Sequence, residues 1–136
     1  MYTIMTHRFG TAVLAAATAF CLMTTFSSGA APEQFAARLG LKIANAGGIN
    51  EIRAQYAGFF LAAAAVCAAG LAGVVSRKAA FIVLCAVFGG LIAGRLVSLI
   101  VDRSVDGYGP TILALYAIDS IGFVLAVSAL ILENRA

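Results

Sequence analysis

Four long apolar runs, separated by short polar intervals, set the pattern of this chain. The first extends from about Phe9 to Phe26, with no charged residue between Arg8 and Glu33. The second covers about Ala54 to Val75 and is uncharged between Arg53 and Arg77. The third, about Ala79 to Val101, is interrupted only by Arg95, and the fourth, about Thr111 to Leu132, only by Asp119. A helix rising about 1.5 Å per residue needs roughly 20 apolar residues to cross a bilayer. The runs are rich in Ala, Leu and Gly and lack the period-two alternation of barrel strands. The pattern therefore predicts an all-α membrane protein. Its spans 9–26, 54–75, 79–101 and 111–132 form a four-transmembrane-helix up-down bundle in one integral membrane domain, residues 1–136.

The polar intervals predict the connections. Between the first two spans, PEQFAARLGLKIAN places Phe35, Leu39 and Ile43 at i, i+4 and i+8, beside a polar row of Gln34, Arg38 and Lys42. This spacing suits a short amphipathic helix in the headgroup region, or an ordinary loop helix with no lipid role. Gly47-Gly48 is expected to break it, and Asn50 to cap the next helix. Ser76-Arg77-Lys78 reads as a tight turn that makes spans two and three antiparallel neighbours. DRSVDGYGP is a turn-rich loop before span four. The first run, with its basic start and Ser28-Gly29-Ala30, also has the form of a secretory signal with a small-residue cleavage site. Its length and the simpler packing of an even number of helices favour a retained first helix.

Composition narrows the function classes. The chain is 62% hydrophobic and 11% charged, where a soluble domain of this size carries about a quarter charged residues. The solvent is therefore lipid, and the bilayer is the first partner. The net charge of +3 includes no basic run, so nucleic-acid binding is not expected. Cys21, Cys67 and Cys85 lie singly in separate apolar runs without a C-x-x-C, and read as small buried hydrophobes. With His7 as the single histidine, no metal set and no cofactor is indicated. Basic residues divide evenly between the two sides. The Arg77-Lys78 turn tips the orientation towards cytoplasmic termini in an inner (plasma) membrane.

The intramembrane charges are the candidate chemistry, because a charge at the bilayer centre costs about 2.5–3.5 kcal/mol on insertion scales and faces the interior with a partner. Arg95 lies about 9 Å from the outer end of its span, and Asp119 about 12 Å from the start of the next. The two run in opposite directions, so the charges reach similar depth and an Arg95–Asp119 ion pair is predicted. Ser98 and Asp102 follow Arg95 on one helix face, and Thr111 and Tyr116 share the face of Asp119. Asn50, Arg53 and Tyr56 form a third polar face at the same end. Together they make either an outward-opening pocket, with Arg53 and Arg95 holding an anionic head group or carboxylate, or a satisfied network that fixes helix register. Gly90 and Gly94 form a G-x-x-x-G suited to close helix packing within the chain or in a homodimer.

GINEIRAQYAGFF, GGLIAGRLVSLIVD, a Gly/Pro loop and a last helix with one acid together resemble the bacterial membrane family catalogued as domain of unknown function 4345. That family has N-x-x-R-x-x-Y-G-G early in helix two, G-R-L-x-S-L-x-x-D-G ending helix three, and a glutamate in helix four. The resemblance covers nearly the whole chain, including the P-x-x-F-x-x-x-L-G-L loop. It implies a four-helix membrane protein whose motif residues are Asn50, Arg53, Tyr56, Arg95, Ser98, Asp102 and, in the acid's place, Asp119. Ala57 departs from the first glycine of the pair, and Arg103 to Asp106 looks inserted. Asp119 is shorter than glutamate by one methylene, which predicts help from a water or Tyr116 in reaching Arg95.

Three function classes follow. A non-catalytic membrane component, accessory or self-assembling in a larger membrane complex, agrees with every feature. A carrier or binder of a small anionic or lipid-like ligand around Arg53, Arg95 and Asp119 is the alternative. An enzyme has no motif to rest on, and no catalytic residue is assigned; Asp119 with Tyr116 is the sole acid–base pairing available.

Overall fold

Hydrocarbon-compatible segments dictate the fold, and the computed structural model, which describes residues 2–135, is helical throughout its long elements. These are α1 (Tyr2–Ala30), α2 (Pro32–Arg38), α3 (Ala46–Ile52), a π-helical stretch (Arg53–Gly58), α4 (Phe59–Leu71), α5 (Arg77–Asp102) and α6 (Pro110–Glu133), with no strand among the described residues. From α3 through α4 the backbone stays helical without a break, giving one helix over Ala46–Leu71. That helix, Ile4–Ala30, Arg77–Asp102 and Pro110–Glu133 are the four long and apolar enough to cross a membrane.

The boundaries differ from the sequence reading where capping chemistry decides them. Asn45, not Asn50, caps the second span: its side chain accepts a hydrogen bond from the Gly48 backbone N–H. Gly47-Gly48 therefore belongs to the first turn of α3 and does not separate two elements. The short helix α2 stops at Arg38 because Gly40, at φ +77°, takes the left-handed position after its end. The N–H groups of Gly40 and Leu41 then bond back to the carbonyls of Ala37 and Ala36, which closes the helix. Leu39 and Ile43 thus lie beyond it, and the expected Phe35/Leu39/Ile43 stripe does not form. Phe35 instead packs on Tyr56, ring centroids 4.9 Å apart. The second span likewise ends at Leu71, where Gly73 at φ +74° allows the Val74 N–H to bond the Ala69 carbonyl. The turn precedes Ser76, whose Oγ accepts from the Ala79 N–H and caps α5, so Arg77 and Lys78 are helical.

Helix α1 packs on α4 and on α6, α4 on α5, and α5 on α6, an up-and-down ring of four. Lipid tails are as apolar as leucine, so what holds such helices together is close packing and not exclusion from water. Small residues supply it: Ala63, Ala64, Ala80, Ala126 and Ala129 are buried, interleaved with Leu14, Phe81, Leu84 and Phe88. Cys21 and Cys67 are fully buried and Cys85 partly so, all as free thiols. Ser28 is also fully buried within α1, its Oγ donating to the Thr24 carbonyl at 2.6 Å. The Ser28-Gly29 pair that resembles a cleavage site is here a packing surface: a Cβ on Gly29 would lie 3.4 Å from Ala57.

Gly90 and Gly94 do not pack within the chain. A Cβ on either meets nothing within 4 Å, and both face outward. The glycines that admit a neighbour are Gly89, where a Cβ would fall 3.0 Å from the Phe123 ring, and Gly122, where it would fall 2.7 Å from the Phe88 ring. Each of α5 and α6 thus receives a phenylalanine of the other at a glycine. A helical glycine is about 1 kcal/mol less favourable than alanine. Gly90→Ala and Gly94→Ala are therefore expected to leave stability unchanged or raise it by up to about 1 kcal/mol each, measured by denaturant titration in detergent micelles.

Candidate functional site

At one end of the ring, α5 carries Arg95 and α6 carries Asp119 and, one turn earlier, Tyr116. The spacing of three residues puts Tyr116 and Asp119 on one face of α6, opposite Arg95. Arg95 Nε donates to Asp119 Oδ2 at 2.6 Å. The Asp119 side chain is 2% exposed and that of Arg95 18%. The aspartate, one methylene shorter than glutamate, still reaches the guanidinium directly. Tyr116 adds to the contact without bridging it: its hydroxyl donates to the Arg95 carbonyl at 3.2 Å, and its ring lies 5.3 Å beneath the guanidinium carbon. Tyr108, from the loop between α5 and α6, stacks on Tyr116 at 6.1 Å. Among the described residues no buried side-chain nitrogen or oxygen lacks a partner.

The other predicted site residues fall into two groups. Ser98 is half-buried one turn beyond Arg95, and Asp102 is exposed as the last residue of α5; neither makes a side-chain hydrogen bond or ion pair among the described residues. Thr111 is half-buried in the first turn of α6. Asn50, Arg53 and Tyr56 do not join Arg95. They belong to the α3 and π-helical stretch, which packs on α1. Asn50 is exposed, Tyr56 lies against Phe35, and exposed Arg53 donates from Nε to the Gly29 carbonyl at 3.3 Å. The hydrogen bonds of the two arginines thus run to different helices, Arg53 to α1 and Arg95 to α6. The π-helical stretch begins at Arg53, so its i→i+5 bonding changes the helix phase of Tyr56 relative to Asn50 and Arg53. Thr25 Oγ1 donates to the carbonyl of Ala57 in this stretch at 3.2 Å and ties it to α1.

A second polar set at the opposite end escaped the sequence reading, which used Arg77 for topology alone. Arg77 Nε lies 3.3 Å from both carboxylate oxygens of Glu133 at the end of α6. Its Nη1 donates to Thr11 Oγ1 at 2.9 Å and lies 3.5 Å from His7 Nε2, and its Nη2 donates to the His7 carbonyl at 3.0 Å. The Phe81 ring centroid sits 5.9 Å from the guanidinium carbon. The antiparallel depth argument that paired Arg95 with Asp119 applies equally to Arg77 and Glu133. Both residues flank their apolar runs instead of interrupting them, so the hydropathy pattern does not single them out. A cleft of about 500 Å³ opens here, lined by His7, Thr11, Gly73, Ser76 and Arg77. An apolar cavity of about 210 Å³ lies among α1, α5 and α6, lined by Val13, Phe20, Leu84, Phe88 and Gly122.

Four membrane-length apolar helices with an arginine–carboxylate pair inside the packed ring define a multi-pass helical membrane protein. The family model for a domain of unknown function, DUF4345, matches residues 10–130, and the chain belongs to that family. No curated protein and no solved structure matches it.

Proposed function

We propose that this chain is a non-catalytic component of the bacterial inner (plasma) membrane, accessory or self-assembling, in which the Arg95–Asp119–Tyr116 network is architectural. The observation that carries the reading is the closure of that network: a carboxylate 2% exposed, taken up directly by one arginine at 2.6 Å. A buried ion pair whose buried polar atoms all have partners supports a role in helix register. In this reading both termini are cytoplasmic, on the side of the adjacent Arg77 and Lys78 beside the short connection between the second and third spans. Helix α1 is retained in this reading, since Leu14 and Cys21 are fully buried in the packed ring.

The test is a charge exchange. Either Arg95→Asp or Asp119→Arg alone is expected to lower the yield of folded protein several-fold. The double exchange is expected to recover at least half of it, because opposite charges again meet at one depth. Failure of the double exchange, with both singles folded, would sink the architectural role. A second reading, a binder of a small anion or lipid-like molecule, is favoured by one feature. The terminal nitrogens of Arg95 make no hydrogen bond to the protein among the described residues. Native mass spectrometry of the same preparations separates the readings, since the binder carries a stoichiometric small molecule that Arg95→Ala releases.

A further inference from the structure

The charges of the chain divide unequally between the two ends of the ring. On the side of the termini stand Arg8, Arg77, Lys78 and Arg135, against Glu133 alone. The other end and the membrane interior hold Arg38, Lys42, Arg53, Arg95 and Arg103 against Glu33, Glu51, Asp102, Asp106 and Asp119, which cancel. The whole net charge of +3 therefore resides at the terminal end. Glu133 is already engaged by Arg77, whose guanidinium is further occupied by Thr11 and His7. Arg8, Lys78 and Arg135 are exposed, and none forms an ion pair among the described residues. Arg8, Lys78 and Arg135 stand at the same end of the chain's helices as the cleft of about 500 Å³, whose lining includes His7, Thr11, Ser76 and Arg77 and not these three.

We infer that this end of the molecule binds the phosphate of anionic phospholipid headgroups at its surface, with exposed Arg8, Lys78 and Arg135 supplying the charge. Lysines and arginines at a membrane surface attract anionic lipid individually and sum over a cluster. A phosphate takes hydrogen bonds from such groups in addition to their charge. The acid available to neutralise them is consumed internally by Arg77, which leaves the lipid as their counter-charge. The inference is independent of the role of the Arg95–Asp119 pair, which lies at the other end.

The test is native mass spectrometry of the full chain in mild detergent with equimolar phosphatidylglycerol and phosphatidylcholine. Adducts of the anionic lipid are expected to exceed those of the zwitterionic one by about tenfold. The triple variant Arg8→Gln, Lys78→Gln, Arg135→Gln is expected to reduce that preference to less than about threefold. The control Arg38→Gln, Lys42→Gln, Arg103→Gln removes the same charge from the opposite end and is expected to leave it intact. All six positions are exposed, so both variants keep the packed ring. Equal adducts of the two lipids, or an equal loss of preference in both triples, would overturn the inference. Displacement of the lipid by millimolar inorganic phosphate would assign the site to a soluble anion and overturn the lipid source.

Discussion

Arg95→Ala is expected to destabilise the protein by about 3–5 kcal/mol, the usual consequence of removing one partner of a buried ion pair. The carboxylate left behind is 2% exposed and short, and cannot carry its charge to water. The opposite change, Asp119→Ala, is expected to cost less. Arg95 is 18% exposed, and its long side chain can turn its head towards the interface. A denaturant titration of both variants in one detergent measures the asymmetry. Equal losses would mean that what matters is the packing of the two side chains and not the stranded charge. A loss below about 1 kcal/mol in both would place this pair with the weak interhelical contacts found in other membrane proteins.

Gly122→Ala is the second change with a large expected effect. Its new methyl would fall 2.7–2.8 Å from three atoms of the Phe88 ring, and that ring is backed by Phe20 at 6.2 Å. Overpacking of this kind costs about 1–3 kcal/mol, more than the roughly 1 kcal/mol that alanine gains in a helix. Gly122→Ala is therefore expected to lose stability, where the chemically identical Gly90→Ala does not. Combining Gly122→Ala with Phe88→Leu is expected to return part of the loss by clearing the ring. Thermal unfolding of the purified variants measures both effects, and a Gly122→Ala protein as stable as the parent would contradict the close approach of α5 and α6.

The sequence made the four spans and the central ion pair legible for one physical reason. Charge inside an apolar run is costly, so only a few partners at matching depth need be considered, and Asp119 was the acid available to Arg95. Other features were hidden for equally physical reasons. The motif G-x-x-x-G has the same spacing on every face of a helix, and only the phase set by Phe88 and Phe123 shows that Gly89 packs and Gly90 does not. The extent of α2 turned on Gly40 at its left-handed position, a single residue inside an otherwise sound amphipathic pattern. The polar spacing of Arg53 and Tyr56 is that of an α-helix and carries no sign of the π-helical stretch that begins at Arg53. Glu133 and Arg77 lay at the ends of their runs, where charge is ordinary and draws no attention.

The two arginine–carboxylate pairs join the same two helices, Arg77 to Glu133 and Arg95 to Asp119. Along α5 the arginines are separated by about 27 Å at the rise of an α-helix, and Lys78, beside Arg77, is the one charged residue between them. The pairs therefore pin α5 to α6 at two points far apart along their length. Sliding one helix along the other to accommodate a change at one end would break the pair at the other, so the two helices answer any displacement as a single rigid rod.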